Sequence, residues 1–171
     1  MAKVRTPRPG MSYVTTATSE RRPIFEISRV AEMFIDTLLH YRTLGHYKLH
    51  AYVVMPDHVH LVLTPQSITL GQAIGLIKSG FSHRLDTQLP VWENTYTAYS
   101  VANNHDLEVV RAYLHQLPVR ANLAAAAELY PFSSAHRQAV SSLPISVPAE
   151  KSPSGSVTIE DPATSLDKIA S

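Results

Sequence analysis

Cysteine is absent from the 171 residues of the chain. Its absence excludes a disulfide framework, a cysteine-based zinc site and a thiol nucleophile. No apolar run reaches the roughly 18 residues that a transmembrane helix needs, so no membrane partner is predicted. The opening residues, MAKVRTPRPG, lack the apolar stretch of a secretory signal. Together these absences favour a cytoplasmic protein.

One folded domain accounts for most of the chain, because its length and its 44% hydrophobic residues suffice for a single core. Residues 1–11 combine Pro7 and Pro9 with basic side chains, which indicates a basic, flexible arm. From residue 136 onward Ser, Pro and Ala dominate, so residues 136–171 are predicted to be a disordered tail. The folded domain is therefore predicted over residues 12–135.

Hydrophobic spacing predicts alternating strands and helices within this domain. Ser28 is a predicted N-cap of the first helix, Gly45 ends that helix, and Thr69 and Gln72 have the spacing of a capping box. The order of elements is typical of an α+β sandwich with a mainly antiparallel sheet and flanking helices. The predicted elements are a strand over 12–19, a helix over 29–43, a hairpin of strands over 47–54 and 58–64, a helix over 70–85, an irregular β-prone segment over 90–101, and a helix over 106–117 that Pro118 stops.

Two histidines lie one residue apart in the stretch VVMPDHVHLVLT, residues 53–64. Because strand side chains alternate between faces, His58 and His60 project from the same face. Imidazole suits borderline metals, and an incomplete protein shell would leave room for substrate oxygens on a divalent ion that polarises a phosphate. Two alternatives remain open at this point: two ordinary surface histidines, or a zinc hydrolase whose third ligand is not identified.

Tyr113 is the candidate nucleophile on the last predicted helix. Six steps of 100° place it about 240° from Leu107, near the edge of the apolar stripe. A tyrosine at such a position ordinarily packs against the core with its hydroxyl in water, so helix position alone favours a structural role.

Several stretches together resemble the REP-associated tyrosine transposases, a group of the single-tyrosine HUH (His-hydrophobic-His) nucleases. AYVVMPDHVHLVLTP resembles the histidine strand of that family, and LGQAIGLIKSGFSHRL resembles the helix that follows it. VWENTYTAYSV occupies the place of a Trp-led segment, RAYLHQLPVRANL resembles the end of the tyrosine helix, and YPFSSA matches a closing aromatic motif. The resemblance covers about residues 12–135, in order, and implies a ferredoxin- or RRM-like HUH sandwich.

The resemblance implies roles for individual residues. His58 and His60 align with the two histidine metal ligands, and Tyr113 aligns with the catalytic tyrosine. It implies Mg²⁺ or Mn²⁺ as cofactor and single-stranded or hairpin DNA as partner, at REP-like palindromes, for a monomer or a homodimer. The implied reaction cleaves and rejoins DNA through a 5′-phosphotyrosine, as in a transposase.

The chain departs from the family pattern one helical turn after the tyrosine. Leu117 stands where the family often has an Asn that completes the metal shell, and Leu cannot bind a metal. Gln116 and His115 are neighbouring candidates for that ligand, although both are rotated away from the Leu117 position on a helix. A second departure, Asn122 in place of Gly, is mild because Asn tolerates left-handed backbone angles.

Basic and aromatic side chains provide candidate DNA contacts. The candidates for phosphate contacts are Arg21, Arg22, Lys78, Arg84 and Arg120. The candidates for base stacking are Trp92 and Tyr96. Two further interpretations remain: a hairpin-binding protein of the same fold with weakened catalysis, which Leu117 suggests, and a small metal-dependent hydrolase.

Overall fold

A computed structural model describes residues 10–142, which contain four strands, four α-helices and three short 3-10 helices. Most of the predicted N-terminal arm, residues 1–9, lies outside the described residues, as do residues 143–171 of the predicted tail. The strands are β1 (Ser12–Ala17), β2 (Tyr47–Val54), β3 (His58–Pro65) and β4 (Thr97–Ser100), and the helices are α1 (Ser28–Thr43), α2 (Leu70–Leu85), α3 (Asn104–Arg120) and α4 (Ser134–Ser142).

The strands form one antiparallel sheet in the order β2-β3-β1-β4. Consecutive strands β2 and β3 pair as the predicted hairpin, and β1 inserts between β3 and the short edge strand β4. This arrangement confirms the predicted α+β fold with a mainly antiparallel sheet. No helix within residues 10–142 has the length and apolar character needed to cross a membrane.

The two faces of the sheet have different coverings, and the side-chain alternation of β3 separates them. Val59, Leu61 and Leu63 are buried in the larger core, which α1 and α2 cover. His58, His60 and Val62 point to the other side, which we call the histidine face. There Val62 packs with Leu107 and Leu114 of α3 in a second apolar cluster. The last long helix therefore covers the face that carries the histidines.

Local sequence signals set the helix ends with one exception. Thr69 and Gln72 form both hydrogen bonds of the predicted capping box at the start of α2. Gly45 follows α1 with a φ of 83°, a left-handed conformation that glycine adopts without strain. The predicted N-cap at Ser28 is wrong, because Ile27 occupies that position and makes no side-chain cap, and Ser28 is the first helical residue.

Two predictions about the C-terminal part of the domain also need correction. Helix α3 does not stop before Pro118 but runs through it to Arg120. Pro118 is buried, and the helix end is held by hydrogen bonds from the amides of Ala121 and Leu123 to the carbonyls of Leu117 and Pro118. Pro118 lies two residues before the end of α3. At that position the missing proline N–H costs one hydrogen bond and does not terminate the helix.

Residues 136–142, predicted to begin the disordered tail, belong to helix α4. The start of α4 is fixed to β2, because the Ser134 hydroxyl accepts from the Tyr52 amide at 3.0 Å and donates to the Tyr52 carbonyl at 3.2 Å. An isolated bridge between Val53 and Ser133 adds to this attachment. The ordered domain thus continues beyond the predicted boundary at residue 135.

Candidate functional site

His58 and His60 lie beside each other on the histidine face, with ring centroids 4.8 Å apart and planes at 76°. His60 is only 8% exposed, whereas His58 is partly exposed nearer the end of the strand. Both rings use Nδ1 for hydrogen bonds within the protein. The Nε2 atoms are consequently the nitrogens through which the pair could bind a common ligand.

Asp57 supports His58 from the preceding turn. Its Oδ1 lies 2.6 Å from Nδ1 of His58, and Arg21 Nη1 lies 3.8 Å from the same oxygen. Arg21 reaches this position from a loop in which Glu20 and Arg21 have φ values of 55° and 52°. A carboxylate accepts but does not donate, so in the neutral form of His58 the proton lies on Nδ1 and Nε2 has the lone pair. That is the tautomer a metal ligand requires.

His60 receives equivalent support from the neighbouring strand. Thr15 is the cross-strand partner of His60, and Nδ1 of His60 lies 2.7 Å from the Tyr13 hydroxyl and 3.1 Å from the Thr15 hydroxyl. Burial, with a smaller contribution from His58, lowers the pKa of His60 to about 4. His60 is therefore neutral near pH 7, the state in which an imidazole binds a metal.

Tyr113 lies on α3, the helix that covers the histidine face, directly before buried Leu114, and is 46% exposed. The Arg120 guanidinium lies 5.5 Å from the centre of its ring. Tyr113 is also near Tyr13: burial raises the pKa of Tyr13, a hydrogen bond from Thr15 opposes this, and repulsion from the Tyr113 phenolate adds to it. The candidate nucleophile and the residue that holds His60 thus share one neighbourhood within a single chain.

Of the two candidates for a third metal ligand, His115 is engaged away from the histidine pair, and Gln116 stays a prediction. Nε2 of His115 lies 2.7 Å from the Ser134 hydroxyl, on the part of α3 that faces β2, and Gln116 is exposed. Leu117 packs against the second apolar cluster. Within the described ranges no group of three His, Cys, Asp or Glu side chains could hold a metal ion. Without a third protein ligand, a divalent ion on His58 and His60 would depend on water and substrate oxygens for its other positions.

Two of the predicted DNA contacts have clear structural positions. Trp92 packs against Phe25, Phe34 and Phe81 with centroid separations of 5.6 to 6.0 Å, and its Nε1 donates to the Lys78 carbonyl. Arg84 Nη1 bonds the Met33 carbonyl and the Thr37 hydroxyl and so joins α2 to α1. Base stacking by Trp92 and phosphate binding by Arg84 remain predictions, but both side chains already serve the core and its helices.

The other predicted contacts range from half-buried Lys78 and Arg22 to exposed Arg21 and Arg120. Lys78 donates to the carbonyls of Glu93 and Thr95 at 2.9 and 3.3 Å, and its Nζ lies 6.0 Å from the Tyr96 ring. Burial lowers the pKa of Lys78, and Glu93 partly opposes that shift. Arg22 donates to the backbone carbonyls of Ser19 and Pro90. Arg21 lies beside Asp57, which supports His58, and Arg120 lies over the Tyr113 ring.

Sequence reasoning missed the residues that support the histidines. Asp57 directly precedes the motif and could have been identified as a carboxylate next to a candidate ligand. Tyr13 and Thr15 could not, because their role depends on the register of β1 against β3, across more than 40 residues of chain. The pairing of Tyr99 with Tyr13 depends on strand register in the same way.

The family model described as "Transposase IS200 like" matches residues 11–117 of the chain. A solved structure of a REP-associated tyrosine transposase bound to a REP hairpin is 21% identical, with a TM-score of 0.68 over 82% of this chain and 86% of that chain. A Deinococcus radiodurans crystal structure assigned as a transposase is 23% identical, with a TM-score of 0.47 over 68% and 97%. No curated protein sequence matches. At these identities the first structure establishes a shared fold.

Proposed function

The chain belongs to the IS200-like transposase family, and from this premise we propose that it cleaves and rejoins single-stranded DNA through a covalent bond to Tyr113. The observation that carries the proposal is the placement of Tyr113 and the histidine pair on one face of the sheet in one chain. The similar structure holds a REP hairpin, and on that basis we propose a palindromic hairpin with unpaired flanking nucleotides as the substrate.

The residues of the histidine face fit a divalent ion. His58 and His60 offer adjacent Nε2 atoms, each oriented through Nδ1 by a partner within the protein, and His60 is neutral at physiological pH. With two protein ligands, the site leaves coordination positions for phosphate oxygens, which favours Mg²⁺ or Mn²⁺ bound together with substrate. When bound, such an ion would withdraw charge from the scissile phosphate.

The chain's own residues account for the rest of the reaction. The Tyr113 oxygen attacks phosphorus, its phenolic proton departs, and the bond from phosphorus to the 3′ oxygen breaks. The 3′ oxygen takes up a proton and leaves as a hydroxyl, while the 5′ phosphate stays on Tyr113. The step conserves the number of phosphoester bonds, so a DNA 3′ hydroxyl can reverse it without ATP.

Trapping a covalent adduct tests this proposal. The full chain is incubated with Mn²⁺ and a hairpin oligonucleotide that carries single-stranded flanks, and the products are separated under denaturing conditions. A band of protein joined to DNA is expected with wild type and not with Tyr113→Phe. Hairpin binding without an adduct at any metal concentration would instead favour a binding protein, in line with the apolar packing of Leu117. Turnover of a small phosphoester without DNA would favour a hydrolase.

A further inference from the structure

Three rings form a row across three strands of the histidine face. Tyr99 on β4 pairs in register with Tyr13 on β1, and their ring centroids are 6.3 Å apart. Tyr13 in turn stacks on His60, at 5.9 Å and with planes only 18° apart. The row leads from the open edge of the sheet to the more buried of the two histidines.

Tyr99 is the exposed end of this row. It is 65% exposed, whereas Tyr13 is half-buried, so most of the Tyr99 ring faces water although Tyr13 covers part of it. A cross-strand aromatic pair contributes to sheet stability, and that contribution accounts for the contact with Tyr13. It does not account for the exposed remainder of a large ring beside a reactive centre.

We propose that Tyr99 is a stacking platform for one unpaired nucleobase of the DNA strand whose phosphate reaches His58, His60 and Tyr113. The inference rests on the proposed function, because it places a DNA strand on the histidine face. An aromatic ring accepts any base on its π-face and needs no hydrogen-bond complementarity. Bases inside a duplex are already stacked, so this subsite selects a single-stranded nucleotide next to the cleaved bond.

The surroundings of Tyr99 fit this occupant better than those of the other aromatic candidates. Trp92 packs against three phenylalanines of the larger core, on the other side of the sheet from the histidines. Tyr96 is only 37% exposed, its hydroxyl is positioned against Gly71 of α2, and Lys78 lies over its ring. Neither offers a free face next to the histidines. Arg120, which lies over the Tyr113 ring, supplies positive charge for the sugar-phosphate chain of a base that stacks on Tyr99.

The test compares Tyr99→Ala and Tyr99→Phe with wild type. The probes are a hairpin with a single-stranded flank that carries 2-aminopurine at successive positions and the same hairpin without the flank. Stacking quenches the fluorescence of 2-aminopurine. At one flank position the fluorescence should therefore be quenched when wild type or Tyr99→Phe binds, and it should not be quenched when Tyr99→Ala binds. Tyr99→Ala should weaken binding of the flanked hairpin by about 5- to 150-fold, the range expected for loss of one base–aromatic stack. Affinity for the unflanked hairpin should not change.

A matched control is Leu44→Ala, since Leu44 is a similarly exposed apolar residue (59%) just after α1, on the opposite face. It should bind both hairpins as wild type does.

Equal affinity and quenching in Tyr99→Ala, with wild type still forming the adduct, would overturn the stacking inference and leave the proposed function intact. A change in oligomeric state of Tyr99→Ala by light scattering would also overturn it, because the exposed edge would then be a protein interface. Failure of wild type to bind either hairpin would overturn the proposed function itself.

Discussion

Oδ1 of Asp57 lies 2.6 Å from Nδ1 of His58, in the arrangement in which a carboxylate orients a metal-binding histidine. Asp57→Ala should therefore weaken binding of Mn²⁺ by about 10- to 100-fold, the usual cost of losing such a partner. The backbone carbonyl of Asp57, which accepts from the amide and hydroxyl of Thr18, is unaffected by the substitution. Electron paramagnetic resonance of free Mn²⁺, recorded with the flanked hairpin present because the ion is proposed to bind together with substrate, measures the affinity.

A control for this variant is Asp36→Ala, because Asp36 is an exposed carboxylate on α1, on the opposite face of the sheet. It removes the same charge without touching the histidines and should leave Mn²⁺ affinity as in wild type. Equal weakening in both variants would mean that Asp57 acts through net charge and not through His58.

His58→Ala and His60→Ala should each abolish Mn²⁺ binding and DNA cleavage, with hairpin affinity nearly unchanged, because phosphate contacts come mainly from Lys and Arg. The two variants should differ in stability. His60 is buried, so its removal leaves the Tyr13 hydroxyl without its ring partner and should lower the free energy of unfolding by about 1–3 kcal/mol. His58→Ala should cost less. Urea denaturation separates the two, and cleavage at the wild-type rate by the double variant would refute the site.

Trp92 was predicted to stack on a base, but its packing indicates a structural role. Trp92→Ala should lower the free energy of unfolding by about 3 kcal/mol, as for a large aromatic residue removed from a core. Trp92→Phe keeps a ring against Phe25 and Phe34 and loses the hydrogen bond from Nε1 to the Lys78 carbonyl. It should therefore lower the free energy of unfolding by only about 1 kcal/mol. If Trp92→Phe folds but loses hairpin affinity, Trp92 contacts DNA after all.

The fold could be predicted from local signals, and most of the site could not. Helical periodicity and the Thr69–Gln72 capping box located α2 because both act over a few residues. Helix α4 was missed, because its start depends on Ser134 binding the backbone of Tyr52, a partner 82 residues away. The support of His60 by Tyr13 likewise depends on strand register. A motif identifies a ligand type, whereas the groups that orient the ligand emerge only from the tertiary arrangement.

Leu117 tests whether the histidine pair lacks a ligand. Leu117→Asn introduces an amide oxygen one turn after Tyr113 and should tighten Mn²⁺ binding if a third protein ligand limits the shell. The change also places a polar group beside the second apolar cluster, so a loss of about 1–3 kcal/mol of stability is expected. An unchanged Mn²⁺ titration would mean that Leu117 is irrelevant to the metal. Leu117→Ala, which loses packing and adds no ligand, provides the matched comparison.

Tyr113→Phe removes one oxygen and keeps the ring. Tyr113 is 46% exposed, and its ring, which lies under the Arg120 guanidinium, is retained. Folding and hairpin binding should therefore change little, whereas both the covalent adduct and strand cleavage should vanish, because no other atom of residue 113 can attack phosphorus. Mass spectrometry of a digested wild-type adduct should place the nucleotide on the peptide that contains Tyr113.

Tyr99→Phe is the internal control: it also deletes one hydroxyl on the histidine face and should still form the adduct. A nucleotide found on Tyr96 or Tyr99 would remove Tyr113 from the reaction, whatever the Tyr113→Phe variant does.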